Sequence, residues 1–253
     1  MARAPAPKLE FARWILWEDD DLVAVDKPAG VLSQGGEGGE GVNVVDLARE
    51  YLGRGGVGVL HRIDRNVSGI VLVAKNHVAA SAMTKLFARG DVERVYRAVV
   101  RGSPPSDAFV MDAWLAKDPV KNEVRAAREG ATPGPEFRPA RTIAQVVRRF
   151  RAPLGACASL DVRPITGRSH QIRVHLASAG LPIVGDPKYG VPARDVNRPL
   201  LHAARIAFRH PRTREPIVVE SRVPWSDDEI VRLAATASRP TRPGRDRSRR
   251  VGR

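Results

Sequence analysis

An α+β fold is predicted by three features of the sequence. Residues 70–74, Ile70-Val71-Leu72-Val73-Ala74, form an unbroken, largely β-branched run, the pattern of a strand covered on both faces. Further strand-like runs recur at 92–100, 142–150, 156–165, 201–208 and 217–223. Only a few segments of helical spacing stand between them, most of them opened by a residue suited to capping. No internal repeat is visible.

Size and charge narrow the function. A chain of 253 residues, 43% of them hydrophobic, can bury a substantial core in one large domain or two small ones. The net charge of +14, from 42 Lys and Arg against 28 Asp and Glu, favours a polyanionic partner. No amphipathic membrane anchor is evident, so nucleic acid fits best. Cys157 is the only cysteine, which excludes an internal disulfide and points to a reducing compartment. No apolar run approaches the length of a bilayer span. The run at 11–17 is interrupted by Arg13 and closed by four acids at 18–21, unlike a signal peptide. A cytoplasmic monomer is expected.

Taken in order, residues 1–11 are rich in Pro, Ala and Arg and are expected to be loose. Segments 14–17 and 22–25 read as strands joined by the acidic turn. Residues 35–41 hold five glycines and two glutamates but lack the Lys-Ser/Thr ending of a phosphate loop, so a surface loop is expected. Asn43 caps a helix with Val44, Leu47, Ala48, Tyr51 and Leu52 on one face. Asn76 caps a second, with Ala79, Ala82, Met83 and Leu86 inward and Gly90 at its end. Tyr96 lies on the strand at 92–100. Residues 101–140, rich in Pro, Gly and charge around short strands such as 109–115, form one side of a substrate cleft.

The strands at 142–150 and 156–165 pair. Thr166-Gly167-Arg168 turns, and Ser169 caps a helix with Ile172, Leu176 and Ala179 inward, ended by Gly180. The strands at 201–208 and 217–223 are joined by the turn His210-Pro211-Arg212-Thr213. Ser226 and Glu229 form the capping box of a last helix packing Ile230, Leu233, Ala234 and Ala237. Residues 238–253 hold seven arginines, Asp246 and no apolar residue but Val251, and are expected to be disordered. The expected division is a flexible segment 1–11, a catalytic domain 12–237 and an arginine-rich tail 238–253.

The chain is organised around residues 60–69, Leu60-His61-Arg62-Ile63-Asp64-Arg65-Asn66-Val67-Ser68-Gly69, which run straight into the apolar strand. A carboxylate at the edge of such a strand is held by the scaffold and strengthened by low dielectric. From these residues alone, an ordinary ion-paired turn accounts for Asp64 equally well.

His61-Arg62-Ile63-Asp64 followed by Ser68-Gly69 resembles the signature of the RluA-like family of RNA pseudouridine synthases. Further stretches match in the family's order: Asp26-Lys27-Pro28-Ala29-Gly30, Tyr96-Arg97-Ala98-Val99-Val100-Arg101-Gly102, and Pro164-Ile165-Thr166-Gly167-Arg168-Ser169-His170-Gln171-Ile172-Arg173-Val174-His175. Ile183-Val184-Gly185-Asp186-Pro187-Lys188-Tyr189-Gly190 follows, then Leu201-His202-Ala203 leading to Phe208-Arg209-His210-Pro211. The likeness covers residues 14–225. Val67 stands where the family usually carries threonine.

The resemblance implies the pseudouridine synthase fold, a mixed and mostly antiparallel sheet with flanking helices and a central active-site cleft. It implies isomerisation of uridine in ribosomal or transfer RNA, with no cofactor and no metal. That reaction breaks the N1–C1′ bond, turns the base and rejoins it through C5, without redox change. Asp64 matches the essential aspartate, placed to stabilise or trap the developing sugar cation or to take a proton from the sugar. Arg173 matches the arginine that pairs with it and orients it. Tyr96 matches the tyrosine that stacks on the target base. Arg62 is a second-rank candidate to fill the vacancy when the nucleotide leaves its stack, with a phosphate contact nearly as well suited to it. His61, Arg65, Arg168 and His170 are further RNA-contact candidates.

Blander readings stand beside these. Arg173 on a basic helix could bind phosphate, and a lone strand tyrosine is usually core. His170 and His175 are five apart, which does not put two metal ligands on one helix face, and structural roles suit the histidines better. A kinase-like reading of His-Arg-Ile-Asp fails because Lys75 follows Asp64 and no Asp-Phe-Gly occurs. The alternative of substance is a catalytically silent RNA-binding assembly factor. The joint presence of Asp64, Tyr96 and Arg173 argues against it, since binding alone needs none of them.

Overall fold

The computed structural model describes residues 7–35, 41–53, 55–128, 130, 132–152, 155–191, 196–226 and 230. Its strands are β1 (Ile15–Glu18), β2 (Leu22–Lys27), β3 (Gly58–Val59), β4 (Ser68–Ala74), β5 (Glu93–Arg101), β6 (Ala108–Asp118), β7 (Glu123–Ala126), β8 (Arg138–Ala152), β9 (Gly155–Pro164), β10 (Leu201–Arg209) and β11 (Pro216–Glu220). The helices are α1 (Pro7–Trp14), α2 (Val44–Leu52), α3 (His77–Arg89) and α4 (Gln171–Ser178). One 11-stranded sheet runs β1-β2-β4-β10-β5-β9-β8-β6-β7, with β11 added to β10 and β3 to β4. Among the named strands β4 and β10 form the one parallel ladder, and every other pairing is antiparallel. The fold is the mixed, mostly antiparallel α+β sheet that the sequence predicts.

The apolar run becomes β4, and all seven of its residues are buried. Val71 and Val73 join a core that includes Val44, Leu47 and Ala48 of α2. Ile70, Leu72 and Ala74 point the other way, into a core with Ala79, Met83 and Leu86 of α3. Each large apolar side chain so buried stabilises the fold by about 1.5–3 kcal/mol, which is why this strand tolerates no polar alternation. The two asparagine caps form as expected. Asn43 accepts the Asp46 N–H at 3.0 Å and Asn76 accepts the Ala79 N–H at 2.8 Å. Gly53 and Gly90 end the two helices in the left-handed conformation.

Two expectations require correction, and others, the loop at 35–41 among them, fall largely or wholly outside the described residues. Residues 7–11, expected to be loose, belong to α1, because Phe11 is fully buried and stacks on Tyr51 of α2 with ring centroids 5.2 Å apart. The fourth helix is not capped by Ser169; its N-cap is His170, which makes no side-chain capping bond. The capping box at Ser226 and Glu229 and the tail 238–253 lie largely or wholly outside the described residues, where only Ser226 and Ile230 are defined. No described helix is long and apolar enough to cross a membrane.

One transverse row positions the site. Lys27, Gly69, Ala203, Tyr96 and Val162 pair in succession across β2, β4, β10, β5 and β9. The small pair at its centre is obligatory. Gly69 adopts φ +113°, and a Cβ there would lie 2.4 Å from the Ala203 carbonyl oxygen. Only glycine lets β4 and β10 meet. The segment at 60–67 then folds back on this face, with Ile63 and Val67 buried in the same core as Tyr96 and Ala203.

Candidate active site

A cleft of about 700 Å³ opens above that row. Residues 60–67 form one wall, with Phe87 and Arg94; Tyr96 and Leu201 lie on the sheet; Lys117, Asn122, His170, Arg173 and Lys188 close the other side. The prediction that 101–140 supplies part of a cleft holds through Lys117 and Asn122 at the β6–β7 hairpin.

Asp64 reaches into this cleft half-buried, and its Oδ2 accepts a 2.8 Å bond from Arg173 Nη1. Arg173 is buried, and its other edge donates through Nε and Nη2 to both oxygens of Asp186, at 2.7 Å each. Asp186 is 1% exposed and also accepts the backbone N–H groups of Lys188 and Tyr189. Burial by itself would weaken the hold of Arg173 on its proton. Hydrogen bonds to Asp186 and the charges of Asp64 and Asp186 reverse this and carry its pKa above the ordinary value. For Asp186, burial pushes upward and Arg173 with the two N–H groups pulls the carboxyl below its usual range. Arg173 is therefore a permanent cation with three of its five N–H donors spent on two carboxylates. A bidentate brace of this kind fixes the guanidinium in a plane and so fixes where Asp64 points.

Behind the turn lies a fully buried lysine. Lys27 Nζ donates to the carbonyls of Pro28, Val31 and Arg65 at 3.0, 2.8 and 3.2 Å, tying the turn that carries Asp64 to the end of β2. Burial lowers its pKa to about 7, against the opposing pull of Asp64 and Asp26. Deeper still, Ser68 Oγ lies 2.9 Å from His202 Nδ1, and His202 Nε2 lies 2.9 Å from Ser221 Oγ. That chain fixes the start of β4 to β10.

The remaining predicted residues fall in different places. Tyr96 is buried on the sheet, with burial holding its phenol above the usual pKa, so it is a neutral ring beside Asp64. Arg62 is exposed on the rim. Arg65 and Arg168 are also on the exposed rim, bonded to the Gly30 and Pro139 carbonyls respectively. His61 turns inward: its Nε2 accepts the Leu72 N–H at 3.2 Å, and burial with the charge of Arg94 drops its pKa to about 3. A neutral ring bonded to the strand offers no cation to a phosphate. His170 faces Asp64, Nε2 to Oδ2 4.0 Å, and Nδ1 lies 2.8 Å from Tyr189 Oη. His175 is buried with Nδ1 2.9 Å from Thr142 Oγ1.

Asp186, Tyr189 and Lys27 were not singled out as site residues from the sequence. Lys27 had a signal: it follows Val23 and Val25 at period two and so falls on their buried face. Asp186 had a weaker one. Arg173 sits between Ile172 and Val174 on a helix whose first six residues are all buried, and a buried guanidinium demands carboxylates.

Comparisons with known proteins identify the family. Residues 21–178 match the family described as RNA pseudouridylate synthase. A ribosomal large subunit pseudouridine synthase C of Vibrio vulnificus is 34% identical over 245 residues, covering 92% of this chain and 74% of the relative. A tRNA pseudouridine synthase C of Salmonella typhimurium is 33% identical, covering 82% and 84%. The solved structure of human RNA pseudouridylate synthase domain containing 4 superposes with a TM-score of 0.70 at 22% identity, covering 90% of this chain and 95% of that one, which bears on the fold alone. The chain belongs to the RNA pseudouridylate synthase family, in its RluA-like branch. It is an isomerase that converts uridine in RNA to pseudouridine, rather than a silent binding protein on the same scaffold.

Proposed function

We propose that the substrate is a uridine of ribosomal or transfer RNA, and that Asp64 carries out the glycosidic step with Arg173 and Tyr96. The observation that carries this reading is the Asp64–Arg173–Asp186 chain, in which a cleft-facing carboxylate is aimed by a buried and doubly anchored guanidinium. The target nucleotide leaves its stack and enters the cleft, and Arg62 at the rim occupies the place it vacates. Tyr96 stacks on the uracil and orients it for rejoining through C5. Asp64 meets the sugar at C1′, where positive charge develops as N1 departs. Relatives named for large-subunit ribosomal RNA and for transfer RNA support both substrate classes. The positive body of the protein supports an RNA partner, and we place the enzyme in the cytoplasm as a monomer with one catalytic domain at 12–237.

The test is tritium release from RNA labelled at uridine C5, with a chelator present and ribosomal and transfer RNA offered separately. Asp64→Asn keeps the size of the side chain but removes its charge, and turnover is expected to fall at least ~10³-fold while RNA affinity holds. Arg173→Ala is expected to be severely impaired in the saturated rate rather than in affinity. Substantial turnover in a clean Asp64→Asn preparation would sink the assignment.

A further inference from the structure

We propose that His170 recognises the ribose 2′-hydroxyl of the target uridine and thereby separates RNA from DNA. The inference rests on the reading of Asp64 as the group that works at C1′. His170 holds the N-cap position of α4 in a left-handed conformation, φ +51°, yet it makes no capping bond. Its ring is turned to the cleft instead. Nδ1 lies 2.8 Å from Tyr189 Oη, and that oxygen already accepts the Val124 N–H at 2.7 Å. In this proposal the single hydroxyl proton of Tyr189 is directed at Nδ1, which leaves the ring hydrogen on Nε2. Nε2 faces Asp64 Oδ2 across 4.0 Å, too long for a direct bond. One hydroxyl closes that gap, accepting from Nε2–H and donating to Oδ2 through bonds of about 2.8 Å.

A nucleotide with C1′ at Asp64 brings such a hydroxyl on the next carbon. The ring oxygen O4′ is a poorer acceptor, because it shares the positive charge that develops on the sugar. A phosphate is also a poorer match. Burial lowers the pKa of His170 and keeps the ring neutral, since the charges of Arg173, Lys188 and Lys117 add to it and Asp64 alone opposes. A neutral N–H beside a carboxylate suits a group that is at once donor and acceptor, and deoxyribose lacks one there.

The experiment uses the full-length protein, a short RNA with one target uridine, and the same RNA with 2′-deoxyuridine at that position. The half-saturating concentration for single-turnover conversion of the first is compared with the inhibition constant of the second. The native protein is expected to favour the ribose form about tenfold. His170→Asn suits the left-handed backbone but reaches only as far as Nδ1, so the preference should fall to within about twofold. His170→Gln extends an amide to the position of Nε2 and should keep most of it. A merely structural histidine would alter rate or stability without touching the ribose preference. A tenfold preference surviving in His170→Asn overturns the proposal, as does the lack of any preference in the native protein. Turnover surviving in Asp64→Asn is the separate result that removes its premise.

Discussion

At the scale of single residues, the site is a set of buried charges each held by a specific partner. Arg173 could not remain buried without Asp186, and Asp64 could not be aimed without Arg173. Lys27 is the exception, because three carbonyls satisfy its donors with no carboxylate in contact. Its folded pKa of about 7 lies below the ordinary 10.5. Between these values the unfolded chain holds more protons than the folded one, so stability contributed at this site rises with pH. Below pH 7 the full cost of burying the ammonium is borne. Lys27→Met abolishes that titration. Urea unfolding of both proteins from pH 6.5 to 9.5 should show the native protein gaining on the variant as pH rises, by at most about 1.4 kcal/mol per pH unit. Parallel stability curves would show that Lys27 stays charged in the folded protein throughout this range. Turnover should fall in the variant, since the Arg65 carbonyl loses its anchor.

At the scale of elements, the parallel contact between β4 and β10 decides where the turn that carries Asp64 lies. Gly69→Ala would bring a Cβ to 2.4 Å from the Ala203 carbonyl oxygen and 2.5 Å from its nitrogen, with φ at +113°. Both obstructing atoms are backbone in a paired strand and cannot step aside. A loss of about 4 kcal/mol is expected, together with loss of turnover. Gly90→Ala provides the contrast. Its φ is +80°, but an added Cβ there meets nothing within 4 Å. It should cost only ~1 kcal/mol and leave turnover unchanged. Equal effects in denaturant titration would mean that conformational strain, not the strand contact, governs both positions.

For the whole molecule, charge is the dominant property. Residues 238–253 carry seven arginines against Asp246, and so +6 of the +14, leaving +8 on the body. They lie outside the described residues, and their composition alone supports a role in trailing along phosphates and releasing counterions. If about three arginines meet phosphates at once, truncation after Ala237 should reduce the slope of log affinity against log salt by about 2, at ~0.7 per single-strand contact. The saturated single-turnover rate should not change, because the Asp64 cleft lies in the retained part. Equal salt slopes would make the tail a bystander, and a slower saturated step would place it at the site.

Local patterns were legible in the sequence to the extent that they depend on neighbours along the chain. The double-faced burial of Ile70 to Ala74, the caps at Asn43 and Asn76 and the stop at Gly90 are of this kind, because capping and periodicity act over three or four residues. Asp64 was legible too, by its motif and its place before a buried strand. The N-terminus was misread because the burial of Phe11 depends on Tyr51, forty residues away, and no local signal reports it. The bond that the fold makes between His61, an RNA-contact candidate, and the Leu72 N–H is likewise reported by no local signal. Asp186, Tyr189 and Lys27 became part of the site only through long-range approach: α4 brings Arg173 onto Asp186, and the pairing of β2 with β4 brings Lys27 beneath Arg65. The sequence by itself determined the chemistry available and the strands and helices that carry it. Tertiary structure decided which charges are buried together, because the energy of a buried ion depends on partners that only folding places within 3 Å of it.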